Sequence, residues 1–356
     1  MTSGQTKLFL CTLAGLALTG CVEPAVEPIP GLKAFAGARI IDGNGTTIEN
    51  GILVVRDGRV EAVGASDSVS IPAGAEQLDL TGRTIIPGFI NSHGHVGATR
   101  GLESDPELYT RGNLLHQLGL YARYGVTTVF SLGGDDQAGV TLRDEQDLSL
   151  DRTRLFVAGP VVNGATAEDV EPLVDEIAGM GADIIKIRVD DNLGSTTKMP
   201  EEAWRAVIER AHEHGLRVAA HVFYLDDAKK LVEANVDFLA HSVRDTDVDQ
   251  ELIDGMLERD VCLSPTLMRE VSTFVYESRP DFFDDPFFLQ ATDPNVIAGL
   301  EDPVRQARIQ DSESAQGYKA ALEVAMRNVK ALSDAGVRLA FGTDTGPVGR
   351  FQGYFE

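Results

Sequence analysis

Basic residues are scarce in this 356-residue chain: Lys and Arg number 31 against 55 Asp and Glu, a formal net charge of −24. So acidic a balance argues against nucleic acid and anionic membrane surfaces as partners. It also gives an anionic substrate no help, so carboxylate recognition needs a specific Arg or Lys. Cysteine is nearly absent. Cys11, Cys21 and Cys262 cannot build the disulfide framework of a small secreted domain. There is no low-complexity tract, and 43% hydrophobic with 24% charged residues is ordinary globular composition. The length suits one large domain and a small one. No Gly-x-Gly-x-x-Gly follows the first α/β strand, which counts against a dinucleotide-binding sheet. No serine or cysteine nucleophile is suggested either.

An apolar run at residues 8–18 follows Lys7 and ends in Leu18-Thr19-Gly20-Cys21. It is too short to span a bilayer as a mature helix and reads as a secretory signal. The Leu-Thr-Gly-Cys ending resembles a bacterial lipobox. That implies cleavage before Cys21, lipid on its sulfur and new amine, and anchoring on the periplasmic side of the cell envelope. An ordinary signal peptide with a chance cysteine is the alternative. On the first reading, residues 1–20 are signal, 21–31 a Pro- and Glu-rich tether, and Cys262 has no partner.

Residues 32–86 are Gly- and Val-rich with short alternating runs. Strands are expected at 38–41, 51–56, 59–62 and 76–79, with Asp57-Gly58 as a hairpin turn. This is a small β domain. From Pro87 onward, apolar strands alternate with amphipathic helices. Strands are expected near 89–92, 126–131, 155–158, 183–189, 217–222, 238–242, 261–264 and 338–343, with helices such as 201–214, 226–234, 248–259 and 318–335 between them. Eight strands in that order fit a (β/α)8 TIM barrel over residues 87–356, a fold of typically about 250 residues. An open doubly wound sheet is the runner-up.

Barrel chemistry sits at the C-terminal ends of strands. His93 and His95 close the first strand, and residues two apart on a strand share a face. They can therefore serve one metal ion. His212 and His214 have the same spacing but lie on a helix ending at Gly215, where residues two apart diverge. They should not chelate. His221, His241 and Asp344 end the fifth, sixth and eighth strands, so four of the seven histidines reach strand ends. Converging on one mouth, they describe a mononuclear or binuclear site for a borderline metal. Lys186 lies inside an apolar strand, where a bare ammonium is costly to bury. It either pairs with an acid such as Asp190 or carries a carbamate able to bridge two cations.

Pro-Gly-Phe-Ile-Asn-Ser-His-Gly-His, the fourth-strand Lys, two strand-end histidines and Gly-Thr-Asp together resemble the amidohydrolase superfamily. The chain is most similar to its imidazolonepropionase-like and metal-dependent Xaa-Pro dipeptidase (prolidase) branch. The resemblance implies two divalent ions, zinc foremost, with His93 and His95 on the buried one and His221 and His241 on the outer one. It further implies a carbamylated Lys186 bridging them and Asp344 as metal ligand and proton carrier. Paired metals make a bridging hydroxide available near neutral pH, and Asp344 serves as base, then acid.

The implied reaction is amide C–N hydrolysis of dipeptides or N-acyl amino acids with a free carboxylate. Alternatives are a hydrolase of cyclic amides or lactones, or a non-catalytic metal- or solute-binding envelope lipoprotein. Arg244 and Arg269 are candidates to hold the carboxylate, against salt bridges to Asp245 or Glu270. Tyr224 is a further substrate-binding candidate. The aromatic segment 270–311 is read as either a lid or a packed surface excursion. Two departures stand out: Asn91 replaces the family's usual Asp, and the sequence stops just after the eighth strand. There, relatives add a barrel helix and further strands. Residues 32–86 are thus expected to form a β-sandwich whose C-terminal half is missing.

Overall fold

The computed structural model describes residue 1 and residues 27–147 and 151–356. The expected signal, Cys21 and most of the tether lie outside the described residues. The chain divides into two compact units, Met1–Ile86 and Pro87–Glu356.

In the first unit, β1 (Leu32–Ile41), β2 (Thr47–Arg56), β3 (Arg59–Ala65), β4 (Glu76–Asp79) and β5 (Thr84–Ile85) form one sheet in the order β3-β2-β1-β4, with β5 also on β1. β1 and β2 are antiparallel, and β4 and β5 run parallel to β1. Asp57 and Gly58 carry φ of 49° and 76°. Positive φ at both central residues is what a two-residue hairpin turn demands, and Arg56 pairs Arg59 across it. Leu32, Ala34, Ile52 and Val54 make the buried face, covered by Val69, Ile71 and Ala75 from the loop before β4. Among the described residues this unit is a single sheet. A loop, not a second sheet, supplies the layer over its apolar face.

The second unit is an α/β fold. β6 (Phe89–Gly94) carries His93, with His95 one residue beyond its end, and precedes a short hairpin of β7 (Thr99–Arg100) and β8 (Glu103–Ser104). β9 (Val126–Ser131) and β10 (Arg154–Val157) join β6 in a parallel sheet ordered β10-β9-β6. β11 (Val161–Val162), β12 (Ile185–Val189), β13 (Val218–Val222), β14 (Phe238–Ala240) and β15 (Cys262–Ser264) form a second parallel sheet in chain order. Residues 338–345 hydrogen-bond to both sheets. Ala340 N donates to Leu263 O at 2.8 Å on one side, and Ser92 N donates to Phe341 O at 2.8 Å on the other.

Parallel strands covered on both faces need apolar residues throughout. Ile185, Ile187, Val218 and Ala220 are buried accordingly, packed with Trp204, Val207 and Ile208 of the helix Glu201–Glu213. That helix gives way at Gly215, whose φ of 72° suits a residue just past a helix end. Residues after β15 form short helices, Leu267–Phe274, Pro286–Leu289, Pro294–Leu300 and Pro303–Gln310, then the long helix Glu313–Asp334. Tyr276, Phe283, Phe288 and Leu300 are buried together with Phe355. The aromatic excursion is therefore a packed sub-core. No helix among the described residues is long and apolar enough to cross a membrane.

Candidate metal centre

The C-terminal ends of the strands bring the expected ligands together. His95 Nε2 lies 2.7 Å and His93 Nε2 3.4 Å from Asp344 Oδ1. Donor atoms of these three residues fall within 4.8 Å of one another. The rings continue inward: His93 is 4.6 Å from His241, and His241 is 4.1 Å from His221, centroid to centroid. Three positions on this rim hold backbone that side chains seldom adopt, with φ of 127° at His241, 59° at Asp344 and 48° at Thr266. Such strain persists only where the surroundings enforce it, and it concentrates at functional sites. Gly346 is required for a related reason, since a Cβ there would sit 2.4 Å from the His95 carbonyl oxygen.

The donor chemistry fits a cation. His95 Nδ1 lies 3.1 Å from the Gly133 carbonyl, which can only accept, so Nδ1 carries the proton. That leaves Nε2 as the ring nitrogen facing the Asp344 carboxylate, where His93, His95 and Asp344 could share one cation. His221 Nε2 contacts Asp190 Oδ2 at 2.5 Å, and His241 Nδ1 contacts Thr266 Oγ1 at 2.5 Å. Each contact orients a ring as metal sites require. His93 Nδ1 and Lys186 Nζ are buried without a hydrogen-bond partner.

Electrostatics keep these groups in ligand form. Burial pushes His93 and His241 well below the usual imidazole range, and His221 down to about 3 despite Asp190. Burial likewise lowers Lys186 to about 7, against the pull of Asp344. Burial acts to raise Asp344, but the Arg350 guanidinium, His93 and His95 outweigh it and hold the carboxyl well below its ordinary value. The result is neutral nitrogens around an ionised oxygen donor.

Asp190, offered as a partner for Lys186, is instead engaged by His221. Arg244 and Arg269 are both buried and share one acid: Arg244 Nε lies 3.1 Å from Glu270 Oε1, and Arg269 Nη1 lies 2.9 Å from Glu270 Oε2. Asp245 accepts from Leu225 N and is not the partner of Arg244. Arg244 Nη1 donates to the carbonyls of Val222 and Ser242, while Nη2 has no hydrogen-bond partner. The Tyr224 hydroxyl donates to Asp191 at 2.7 Å. His212 and His214 go separate ways, to Asp237 at 3.0 Å and Asp175 at 2.6 Å.

Three residues escaped the sequence reading. Arg350 pairs with Asp344 Oδ2. Asp135, raised by burial to about 7, accepts from Ala158 N at 3.0 Å beside the His95 strand end. Glu356 is buried behind the site, where its Oε1 accepts from Asn91 Nδ2 and Thr343 Oγ1, each at 2.7 Å, and also from Thr345 Oγ1. Asn91 thus meets a carboxylate supplied from elsewhere in the chain. Only Arg350 had a signal, as a cation six residues from a strand-end acid.

The Amidohydrolase family model matches residues 84–352. A protein of Mycobacterium tuberculosis with no assigned activity is 27% identical over 301 residues, 83% of this chain and 70% of its own. A solved structure described as a prolidase from Bifidobacterium longum superposes with a TM-score of 0.68 at 25% identity, covering 93% of this chain and 77% of that one. A Xaa-Pro dipeptidase with methionine bound in its active site gives 0.69 at 19% identity, over 91% and 82% of the two chains. Alternating α/β elements, a cluster of metal-competent side chains at the strand ends and a match over residues 84–352 lead to one conclusion: the chain belongs to the amidohydrolase family and is a hydrolase of that kind.

Proposed function

We propose that this amidohydrolase cleaves amide C–N bonds in dipeptides or N-acyl amino acids that keep a free carboxylate, as an Xaa-Pro dipeptidase does. One observation carries the substrate class. Arg244 and Arg269 both contact the single carboxylate of Glu270, and the Arg244 guanidinium keeps a nitrogen that no hydrogen bond uses. A substrate carboxylate is a matched acceptor for such a donor. The unpartnered Arg244 Nη2 is the donor available to it. The prolidase and dipeptidase among the structural relatives support the same reading.

In this reading residues 87–356 close as a (β/α)8 barrel, supported by residues 338–345 bonding to β15 and β6. His93, His95 and Asp344 would hold one divalent ion, zinc foremost, and His221 and His241 a second, with Lys186, as a carbamate, joining the donor set. Metal held there would supply Lewis acidity for the scissile carbonyl and for water. Asp344, kept ionised by Arg350, takes the proton of the attacking water and returns it to the leaving amine. Asp190 and Thr266 hold the rings of His221 and His241. Residues 1–20 are a signal and 21–31 a tether, with lipidated Cys21 anchoring the protein on the periplasmic side of the envelope.

The test is a comparison of paired substrates on zinc-loaded wild-type protein. Dipeptides and N-acyl amino acids with a free carboxylate should exceed their C-terminal amides in kcat/KM by at least about 30-fold, the equivalent of roughly 2 kcal/mol in transition-state binding. Equal rates on acids and amides would overturn the carboxylate reading. Hydrolysis of cyclic amides alone would replace it with the cyclic-substrate alternative.

A further inference from the structure

A second cavity lies away from the metal centre. Its volume is about 720 Å³, within the range of small-molecule sites. It opens where strands begin: Phe238 and Cys262 are the first residues of β14 and β15, and Arg217 immediately precedes β13. On β13 the candidate ligand His221 stands three residues beyond Val218, so about 10 Å of strand separates the two ends. Phe130, Leu132, Ile184 and Phe238 give the cavity an apolar wall, with Ser92, His212 and Asn235 adding polar groups to its lining.

Its rim is basic, which is unusual in a chain of net charge −24. Arg217, Arg259 and Arg338 all reach it. The rim acids are Asp237 and Asp260. Asp237 Oδ2 is occupied by Val218 N at 2.8 Å and His212 Nε2 at 3.0 Å. Asp260 pairs with Arg338 at 2.7 Å, and Arg259 pairs with its neighbour Glu258 at 3.2 Å. Arg217 has no ion-pair partner among the described residues. An apolar chamber with an uncommitted guanidinium at its mouth matches a molecule with an apolar body and one anionic end.

We propose that this cavity is a second ligand site, which binds small amphipathic carboxylates: the tail lies among Phe130, Leu132, Ile184 and Phe238, and the head group meets Arg217, beside the Arg338–Asp260 pair. None of the candidate metal ligands lines it, although Ser92, which precedes His93, does. Cys262, half-buried in the wall, gives a local readout.

The experiment uses the full chain with Cys11→Ser and Cys21→Ser, so that Cys262 is the only thiol. The rate of Cys262 modification by iodoacetamide is measured against octanoate and against octanol, which has the same tail and no charge. Octanoate should slow modification saturably, at concentrations at least tenfold below those needed with octanol. Arg217→Gln with Arg338→Gln should weaken octanoate protection at least tenfold and leave octanol protection unchanged. Absence of octanoate protection, or equal protection by acid and alcohol, overturns the proposal. So does a double variant that folds and still binds octanoate as the parent does. If the double variant does not fold, the acid–alcohol comparison on the parent chain decides.

Discussion

At the scale of single residues, Lys186 sets a pH dependence. In the metal-free fold burial holds its amine near pKa 7, against an ordinary value of 10.5. Between those values the unfolded chain binds a proton that the folded chain does not, so stability rises with pH across that window. Below pH 7 both forms are protonated and the slope from this group vanishes. In chelator and CO2-free buffer, the Tm of wild type relative to Lys186→Met should climb from pH 7 to pH 10. A difference that stays flat would mean that Lys186 is not buried as a near-neutral amine. The same low pKa leaves free base available for carbamate formation at neutral pH.

The two His-x-His pairs make a matched comparison. His95→Ala should remove about one metal ion per chain, whereas His212→Ala with His214→Ala should leave metal content unchanged, measured by atomic emission after dialysis. Equal losses would refute the strand-against-helix argument. Glu356 is a third case. Glu356→Gln can keep an oxygen for Asn91, Thr343 and Thr345 but then turns an amide donor toward Gly353 N, and leaving a buried donor unmatched costs about 1–3 kcal/mol. Chemical denaturation would measure it, and a change under about 0.3 kcal/mol would show that the contact is incidental.

The His-x-His spacing pointed to a His93/His95 pair, but His95 stands just past the end of β6, and its ring is placed by Gly133 O and Asp344 rather than by strand periodicity alone. The role of Glu356 was not readable. Its partners are Asn91 and Thr343, and no local pattern links a carboxylate to an amide 265 residues away.

Among elements, the segment after β15 has punctuation that composition alone hides. Asp285-Pro286, Asp293-Pro294 and Asp302-Pro303 each open a helix, with the Asp side chain accepting from a backbone N–H and Pro at the first helical position. This explains why the excursion is a chain of short helices and not a loop. Asp302→Ala should cost about 1 kcal/mol through the lost cap, whereas Phe288→Ala should cost about 3–5 kcal/mol through a cavity in the aromatic sub-core. Denaturant titration distinguishes the two. If Phe288→Ala cost no more than Asp302→Ala, the sub-core would be loosely packed and a mobile lid would be the better description.

Seven of the eight expected strands of the α/β unit formed, because buried parallel strands leave a strong, local signal, whereas residues 338–343 make only an isolated bridge, Leu339 to Leu263. The N-terminal sheet was half legible. The Asp57-Gly58 hairpin comes from two residues, but the covering of its apolar face by residues 69–75 depends on tertiary packing that alternation does not encode.

For the molecule as a whole, the proposed anchor predicts partitioning. Wild-type protein expressed in a bacterium should enter the detergent phase, and Cys21→Ser should remain aqueous. A soluble, unmodified wild-type form would exclude the lipoprotein reading.

His95 and Asp344 touch, yet 249 residues of chain separate them. At a synthesis rate of about 5–20 residues per second, Asp344 is made roughly 12–50 s after His95. For that interval a nascent chain displays a histidine pair without the carboxylate that completes the cluster, and any divalent ion captured early meets an open, unselective pair. Metal choice is therefore a matter of timing as well as geometry. A chain that stays unfolded until its last strand is in place meets the ions of the compartment where it folds, not those of the compartment where it was made.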